Sequence, residues 1–217
     1  MVYDTADIAS ISCINSDYLF TETSNSGLGF PAPEGGYQPL TDPEIPLRLR
    51  GLHLGSWVSS YYKHPIYTFP SGSSVKENRI MTNLQVRMPT APHRPATMDT
   101  FNPEEMLACL DSAPGPRSEQ AVFSIIRPTT LYEQTSSALH LNSNLGLENE
   151  TPKKESSISL LPKLKIEVVY GYESVWSIQW AVWEIEKNIE KWNAEGGTIR
   201  PVKFTAAETA NHFVRTL

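Results

Sequence analysis

The chain has 217 residues, of which 40% are hydrophobic, and its formal net charge at pH 7 is -6. An acidic chain without clusters of lysine and arginine is a poor partner for nucleic acid or an anionic membrane surface. No apolar run approaches the roughly 20 residues of a membrane span, and the N-terminus lacks a secretory signal pattern. With only two cysteines, the chain is predicted to be a cytoplasmic protein without a disulfide framework.

The N-terminal part of the chain divides by composition at about residue 10. Residues 1–9, MVYDTADIA, are predicted to form one strand of a sheet, because they are rich in residues that favour strands. Residues 10–27 are rich in serine, threonine and asparagine and show no clean period. We expect a disordered insertion there.

The middle of the chain, residues 28–158, is rich in proline and is predicted to be a helical cap region built of short elements. A helix is predicted from about Leu47 to Tyr62. A second helix is predicted to start at Asn102, because an N-cap residue followed by proline and by acidic residues is typical of a helix start. A third is predicted to start near Thr129.

Residues 159–217 carry the clearest pattern, a strand, a helix and a second strand. The predicted strands are Leu164–Tyr170 and Arg200–Ala206. Between them, from about Ser174, apolar residues spaced at three and four positions predict one buried helix face: Ile178, Val182, Ile185, Ile189 and Trp192. Two strands joined in this way lie parallel, and they need a larger sheet to pack against. The fold class predicted is therefore α/β.

Three side chains follow predicted strands, where the function of open α/β sheets gathers. They are Asp4 after the first strand, Glu173 after the second and His212 after the last. His212 is the strongest single candidate, because an imidazole can take and return a proton near neutral pH. The plainer interpretation is a surface histidine near a chain end, and Asp4 and Glu173 can equally be solvated loop carboxylates.

The order of strand, YGYESVW, helix, strand and ANHFV resembles the C-terminal part of the α/β-hydrolase fold. More narrowly, LGFPAPEGGYQPLTDPEIP, WVSSYYKHP and IEVVYGYESVWSIQWAVWEIEK resemble a group of fungal α/β-hydrolase proteins in which a proline-rich cap joins the sixth strand to the seventh. The likeness covers most of Leu28–Val214. It implies that His212 is the catalytic histidine of a triad, and that its acid is Glu173 or, from the sixth strand, Asp4.

The chain departs from that family at the nucleophile. The G-x-S-x-G elbow does not occur, and the serines of LGSWVSS and PSGSSV have other spacings. The resemblance therefore implies a fragment of an esterase-like serine hydrolase, whose earlier strands, elbow and oxyanion-hole loop would precede Met1. In a complete enzyme the cap would hold a small apolar ester. We expect no hydrolase activity from this chain alone.

A different class of function is a non-catalytic product, either truncated or an interaction protein. Such a chain would self-associate through the open edges and apolar face of an incomplete sheet. No cofactor is predicted. No metal site is predicted either, because the other histidines, at positions 53, 64, 93 and 140, lack the spacing of metal ligands.

Overall fold

A computed structural model describes residues 10–14, 17–21, 28–68, 76–109, 127–140 and 165–212. The strands are β1 Ser10–Ile14, β2 Asp17–Thr21, β3 Ile166–Gly171 and β4 Val202–Ala207. The α-helices are α1 Arg50–Ser59, α2 Pro103–Cys109, α3 Arg127–Leu139 and α4 Trp176–Ala194. Short 3₁₀ turns lie at Pro39–Thr41, Leu47–Leu49, Pro65–Thr68, Lys76–Asn78, Met81–Asn83 and Thr97–Thr100.

The four strands form one sheet in the order β1, β2, β3, β4. Strands β1 and β2 are antiparallel, whereas β2 pairs with β3 in parallel and β3 pairs with β4 in parallel. In the last pair Ile166 lies opposite Val202 and Gly171 lies opposite Ala207. The predicted parallel arrangement of the two late strands is confirmed, and the described residues form a mixed α/β structure.

The hairpin β1–β2 differs from the disordered insertion predicted for residues 10–27. Its strands, SISCI and DYLFT, contain β-branched and aromatic residues among the polar ones that suggested disorder. The partner that completes the pairing is β3, far along the chain, so local composition alone did not indicate it. The strand predicted over residues 1–9, and Asp4 within it, lie outside the described residues.

The predicted helices are present, with shifted ends. The first consists of the turn Leu47–Leu49 followed by α1, and it ends before Ser60, whose backbone is extended. Helix α2 begins as predicted, because the Asn102 side chain accepts hydrogen bonds from the backbone N–H groups of Glu104 and Glu105 at 2.9 and 2.8 Å. The Glu105 carboxylate accepts the Asn102 N–H in return, at 2.9 Å, which completes a capping box.

Helix α4 packs against two hydrophobic clusters. The first joins it to β3, to α3 and to the start of residues 28–109, named here the middle region: Leu28, Phe30, Leu139, Ile166, Val168, Ala181, Val182 and Ile185. The second joins it to α1 and the turns that follow: Trp57, Val58, Tyr62, Ile66, Leu84, Val175, Trp176, Ile178 and Trp183. The apolar face predicted for this helix is therefore buried at Ile178, Val182 and Ile185, and the helix connects the sheet to the middle region.

Polar tips of buried aromatic rings hold the irregular middle region in place. The Trp57 Nε1–H donates to the carbonyl of Val86 at 3.0 Å, and the Trp176 Nε1–H donates to the carbonyl of Tyr37 at 2.8 Å. The Tyr62 hydroxyl donates to the carbonyl of Trp57 at 2.7 Å. Each bond gives a backbone carbonyl a side-chain donor, while the ring contributes apolar burial.

Candidate functional site

The loops that follow β3 and β4 run side by side at the carboxyl ends of the two strands. The Tyr172 N–H donates to the carbonyl of Ala207, and the Glu173 N–H donates to the carbonyl of Ala210, each at 3.0 Å. Gly171 permits this approach, since a Cβ there would contact the backbone of Ala210. Two of the three predicted site residues, Glu173 and His212, therefore lie on neighbouring loops of one sheet end.

His212 lies directly after a residue that is tied to the middle region. Asn211 is 1% exposed, and its Nδ2 donates to the carbonyl of Ser59 at 2.5 Å and to Oγ1 of Thr97 at 2.8 Å. His212 itself is 8% exposed, which differs from the surface-histidine interpretation. The end of α1 and the turn Thr97–Thr100 thus hold the loop that carries this imidazole.

The carboxylate of Glu173 contacts a histidine for which the sequence pattern predicted no role. Its Oε2 lies 3.2 Å from Nε2 of His93, and the two side chains are 17% and 27% exposed. Among the contacts of the described residues, the partner of this carboxylate is His93 and not His212. The backbone carbonyl of Glu173 also accepts the Tyr62 N–H at 2.9 Å, so the middle region contacts this residue twice.

Residues 93–97, named here the strap, lie across both strand-end loops. The Arg94 guanidinium donates to the carbonyl of Thr209 at 3.0 Å and lies over the Tyr61 ring, 5.2 Å from its centroid. The same Tyr61 ring meets His93 edge-on, with centroids 6.2 Å apart. The strap therefore covers the end of the sheet with a cationic guanidinium and an imidazole.

The serines of LGSWVSS do not form a nucleophile elbow. Their segment belongs to α1 and its C-terminal end, whereas an elbow needs a sharp turn between a strand and a helix. The Ser60 hydroxyl donates to the carbonyl of Ser56 at 2.7 Å, and the Ser59 hydroxyl accepts the Met98 N–H at 3.2 Å. The serines of PSGSSV lie outside the described residues.

His64 is a structural histidine beside the site. Its Nε2 donates to the carbonyl of Ser174 at 2.7 Å, and its Nδ1 accepts the Gln85 N–H at 3.0 Å, so the ring is the neutral tautomer with hydrogen on Nε2. The ring is 1% exposed, and this burial lowers the pKa of His64 to about 4. It joins the chain just before the turn Pro65–Thr68 to the loop after β3 and remains neutral at physiological pH.

The described ranges contain neither a cluster of metal ligands nor a membrane-spanning helix. There, no group of three or more His, Cys, Asp or Glu side chains is arranged to hold a metal ion. Across the same ranges, no helix combines the length and apolar character that crossing a membrane requires.

No protein-family model, curated protein or solved structure matches this chain. The resemblance to α/β-hydrolases therefore rests on the sequence segments that carry it.

Proposed function

We propose that the chain provides the histidine-bearing and cap-bearing part of an α/β-hydrolase-type site for ester or related acyl bonds. The observation that carries the proposal is the contact between the two strand-end loops. Adjacent parallel strands β3 and β4 bring the loop of Glu173 within hydrogen-bonding distance of the loop that ends at His212. An acid and a histidine on such loops fit the last two members of a nucleophile, acid and histidine triad.

In this proposal His212 is the general base. It takes the proton of an attacking serine hydroxyl and returns it to the leaving alcohol, while a carboxylate orients the ring and stabilises its charged form. Glu173 is the proposed acid, and Asp4 is the alternative. The chain contains no G-x-S-x-G segment, so the hydroxyl comes from outside the 217 residues and the chain alone is inactive.

A non-catalytic interaction protein is the second candidate. The observation in its favour is the strap, because the Glu173 carboxylate is already engaged by His93 and the guanidinium of Arg94 is bonded to the loop after β4. A carboxylate and a loop held in this way also suit a purely structural junction between the cap and the sheet.

The decisive experiment is to sequence the complete transcript and to express the whole reading frame. We expect an in-frame strand, G-x-S-x-G and helix ahead of Met1, and turnover of p-nitrophenyl butyrate by the product. His212→Ala should then lower kcat on the order of 10⁴-fold. Glu173→Gln should lower it too, whereas the matched control Glu133→Gln, an exposed carboxylate on α3, should leave it unchanged.

The 217-residue chain supplies the complementary test. Purified alone, it should neither hydrolyse the ester nor react with a fluorophosphonate probe, which labels activated serines. A transcript without an elbow would contradict the proposal, and so would a complete product whose turnover survives His212→Ala. Turnover by the short chain that disappears in His212→Ala would show that the nucleophile lies within it.

A further inference from the structure

An open groove of about 400 Å³ lies between one side of α1 and the segment from Met88 to Asp99. Its apolar walls are formed by Leu52, Met88, Pro89, Pro92, Pro95 and Ala96. This volume lies within the range of small-molecule sites, roughly 300–1,000 Å³, and such sites combine apolar walls with a few polar groups. The groove is separate from the proposed acid and histidine, neither of which lines it.

One side of the groove exposes apolar side chains, and the other side contains prolines that restrict its backbone. Leu52 is 66% exposed and Met88 is 39% exposed, so both side chains present apolar surface that the described residues do not cover. The three prolines opposite the helix have fixed φ angles, which limits how much the wall can move. A ligand that contacts this wall therefore loses little binding free energy to ordering the protein.

One carboxylate gives the groove its charge. Asp99 lies at its edge, and its Oδ1 accepts a hydrogen bond from the Ser56 hydroxyl at 3.3 Å, which orients the group. Within the described ranges no lysine or arginine forms an ion pair with Asp99.

Three arginines that lie near the groove in sequence make contacts elsewhere. Arg50 donates to the backbone carbonyls of Ile45 and Leu40, at 3.0 and 2.9 Å. Arg87 lies over the Tyr37 ring and pairs with another carboxylate, and Arg94 bonds to the loop after β4. The position beside Asp99 is therefore complementary to a cation that the described chain does not itself provide.

We propose that this groove binds a small molecule that has an apolar body and a single ammonium group. The body lies on Leu52, Met88 and the proline wall, and the ammonium donates to the Asp99 carboxylate. A charge-assisted hydrogen bond at the edge of an apolar surface is stronger than the bond of a neutral hydroxyl at the same place. The same carboxylate repels an anion of the same shape. This inference does not depend on the proposed hydrolase role.

Three ligands of one shape test the inference on the purified chain: 4-phenylbutylamine, 4-phenylbutan-1-ol and 4-phenylbutanoate. Binding of each ligand is followed by NMR titration at about pH 8. Because Asp99 is exposed and its charge is screened by water, we expect the amine to bind about two- to fivefold more tightly than the alcohol, and the carboxylate more weakly than both. Equal affinity of the amine and the alcohol would overturn the proposal, as would an amine that gives no saturable shifts at millimolar concentration.

Two pairs of variants locate the site. Asp99→Asn should weaken the amine about two- to fivefold, to the level of the alcohol, and leave the alcohol unchanged, whereas Glu104→Gln, an exposed carboxylate on α2, should change neither. Leu52→Ala should weaken both ligands, whereas Leu47→Ala, 80% exposed and outside the lining, should not. Circular dichroism checks that each variant is folded. An amine that binds Asp99→Asn as tightly as the parent chain would show that the groove does not select a cation.

Discussion

The C-terminal unit, residues 165–207, and the middle region, residues 28–109, are stabilised in different ways. In the first, a backbone ladder joins β3 to β4, and one face of α4 packs against these two strands. In the second, short turns alternate with extended chain, and many of the bonds run from a buried side chain to a single carbonyl. A repeated pattern spreads its stability over many residues, whereas the middle region depends on individual contacts.

The largest effect should come from the apolar face of α4. Ile185 is 2% exposed in the cluster with β3, and Ile185→Ala removes buried carbons and leaves a cavity. We expect a loss of about 2–5 kcal/mol in the free energy of unfolding, measured by urea denaturation. The matched control is Ile80→Ala, because Ile80 is 52% exposed in the middle region and its loss should cost less than about 0.5 kcal/mol. Equal losses in the two variants would remove the contrast between the regions.

The second prediction concerns the buried ring of His64 in the middle region and is tested by measuring stability as the pH is changed. Burial lowers the pKa of His64 from 6.5 to about 4, so between these values the unfolded chain binds a proton that the folded chain does not. The stabilising contribution is therefore complete above about pH 6.5 and is lost as the pH falls toward 4. Over that window we expect stability to decrease by up to about 3 kcal/mol, measured by urea denaturation at each pH.

The control for the pH effect is a pair of glutamine variants. His64→Gln removes the titrating ring and should reduce the slope of the curve between about pH 6.5 and 4, although the amide can still donate to the Ser174 carbonyl. His53→Gln, at an exposed histidine on α1, is the matched control for the replacement of a histidine by glutamine. Identical slopes for the parent chain and His64→Gln would contradict the assignment of His64 as a buried neutral ring.

Two glycines, one in each region, should respond with opposite signs. At Gly171 a Cβ would lie 2.8 Å from the backbone carbon of Ala210 and 3.0 Å from the carbonyl oxygen of Asn211, so Gly171→Ala must move the strand-end loops. We expect a loss of about 1–3 kcal/mol in thermal or urea unfolding. At Gly51 in α1 the Cβ meets open space, so Gly51→Ala should gain about 0.5–1 kcal/mol. A neutral Gly171→Ala would show that the two loops are not in close contact.

Periodic and local signals explain what could be predicted from the sequence. The face of α4 follows from spacing, and the start of α2 follows from the cap at Asn102. Strand β4 begins at Val202, later than predicted, since the Arg200 N–H is bonded to the carbonyl of Leu139 and Pro201 has no N–H to donate. The start of this strand therefore differs from the prediction because a residue far along the chain forms the hydrogen bond with the backbone N–H of Arg200.

Contacts between distant residues explain what could not be predicted. Glu173 and His212 were identified because each follows a strand, a property of position. The contact of His93 with Glu173 was not predicted, because the two residues are 80 positions apart and no sequence pattern around His93 indicates a partner. The apolar groove is formed by two segments that are also separated in sequence. The hairpin β1–β2 joins the sheet through the pairing of β2 with β3, which lies far along the chain.

The smallest effect is expected for an ion pair between β3 and β4 in the C-terminal unit. Lys203 lies directly opposite Glu167 in the β3–β4 register, with Nζ 2.6 Å from Oε1. The Lys203 ammonium, followed by the Thr205 hydroxyl, lowers the pKa of Glu167, so any contribution to stability is present above about pH 4.5 and is lost as the pH falls. Because the two side chains are 71% and 37% exposed, water and salt screen the pair.

A double-mutant cycle with Glu167→Gln and Lys203→Met measures this pair by urea denaturation. We expect a coupling free energy of about 0.2–1 kcal/mol that diminishes in 1 M salt. The pair Lys187 and Glu184 on α4, at 3.5 Å and three residues apart, is the control and should give less. A coupling free energy well above about 1 kcal/mol would show that a single side-chain contact can stabilise the sheet as strongly as a single contact stabilises the middle region. The two regions would then differ only in how their backbones are hydrogen-bonded.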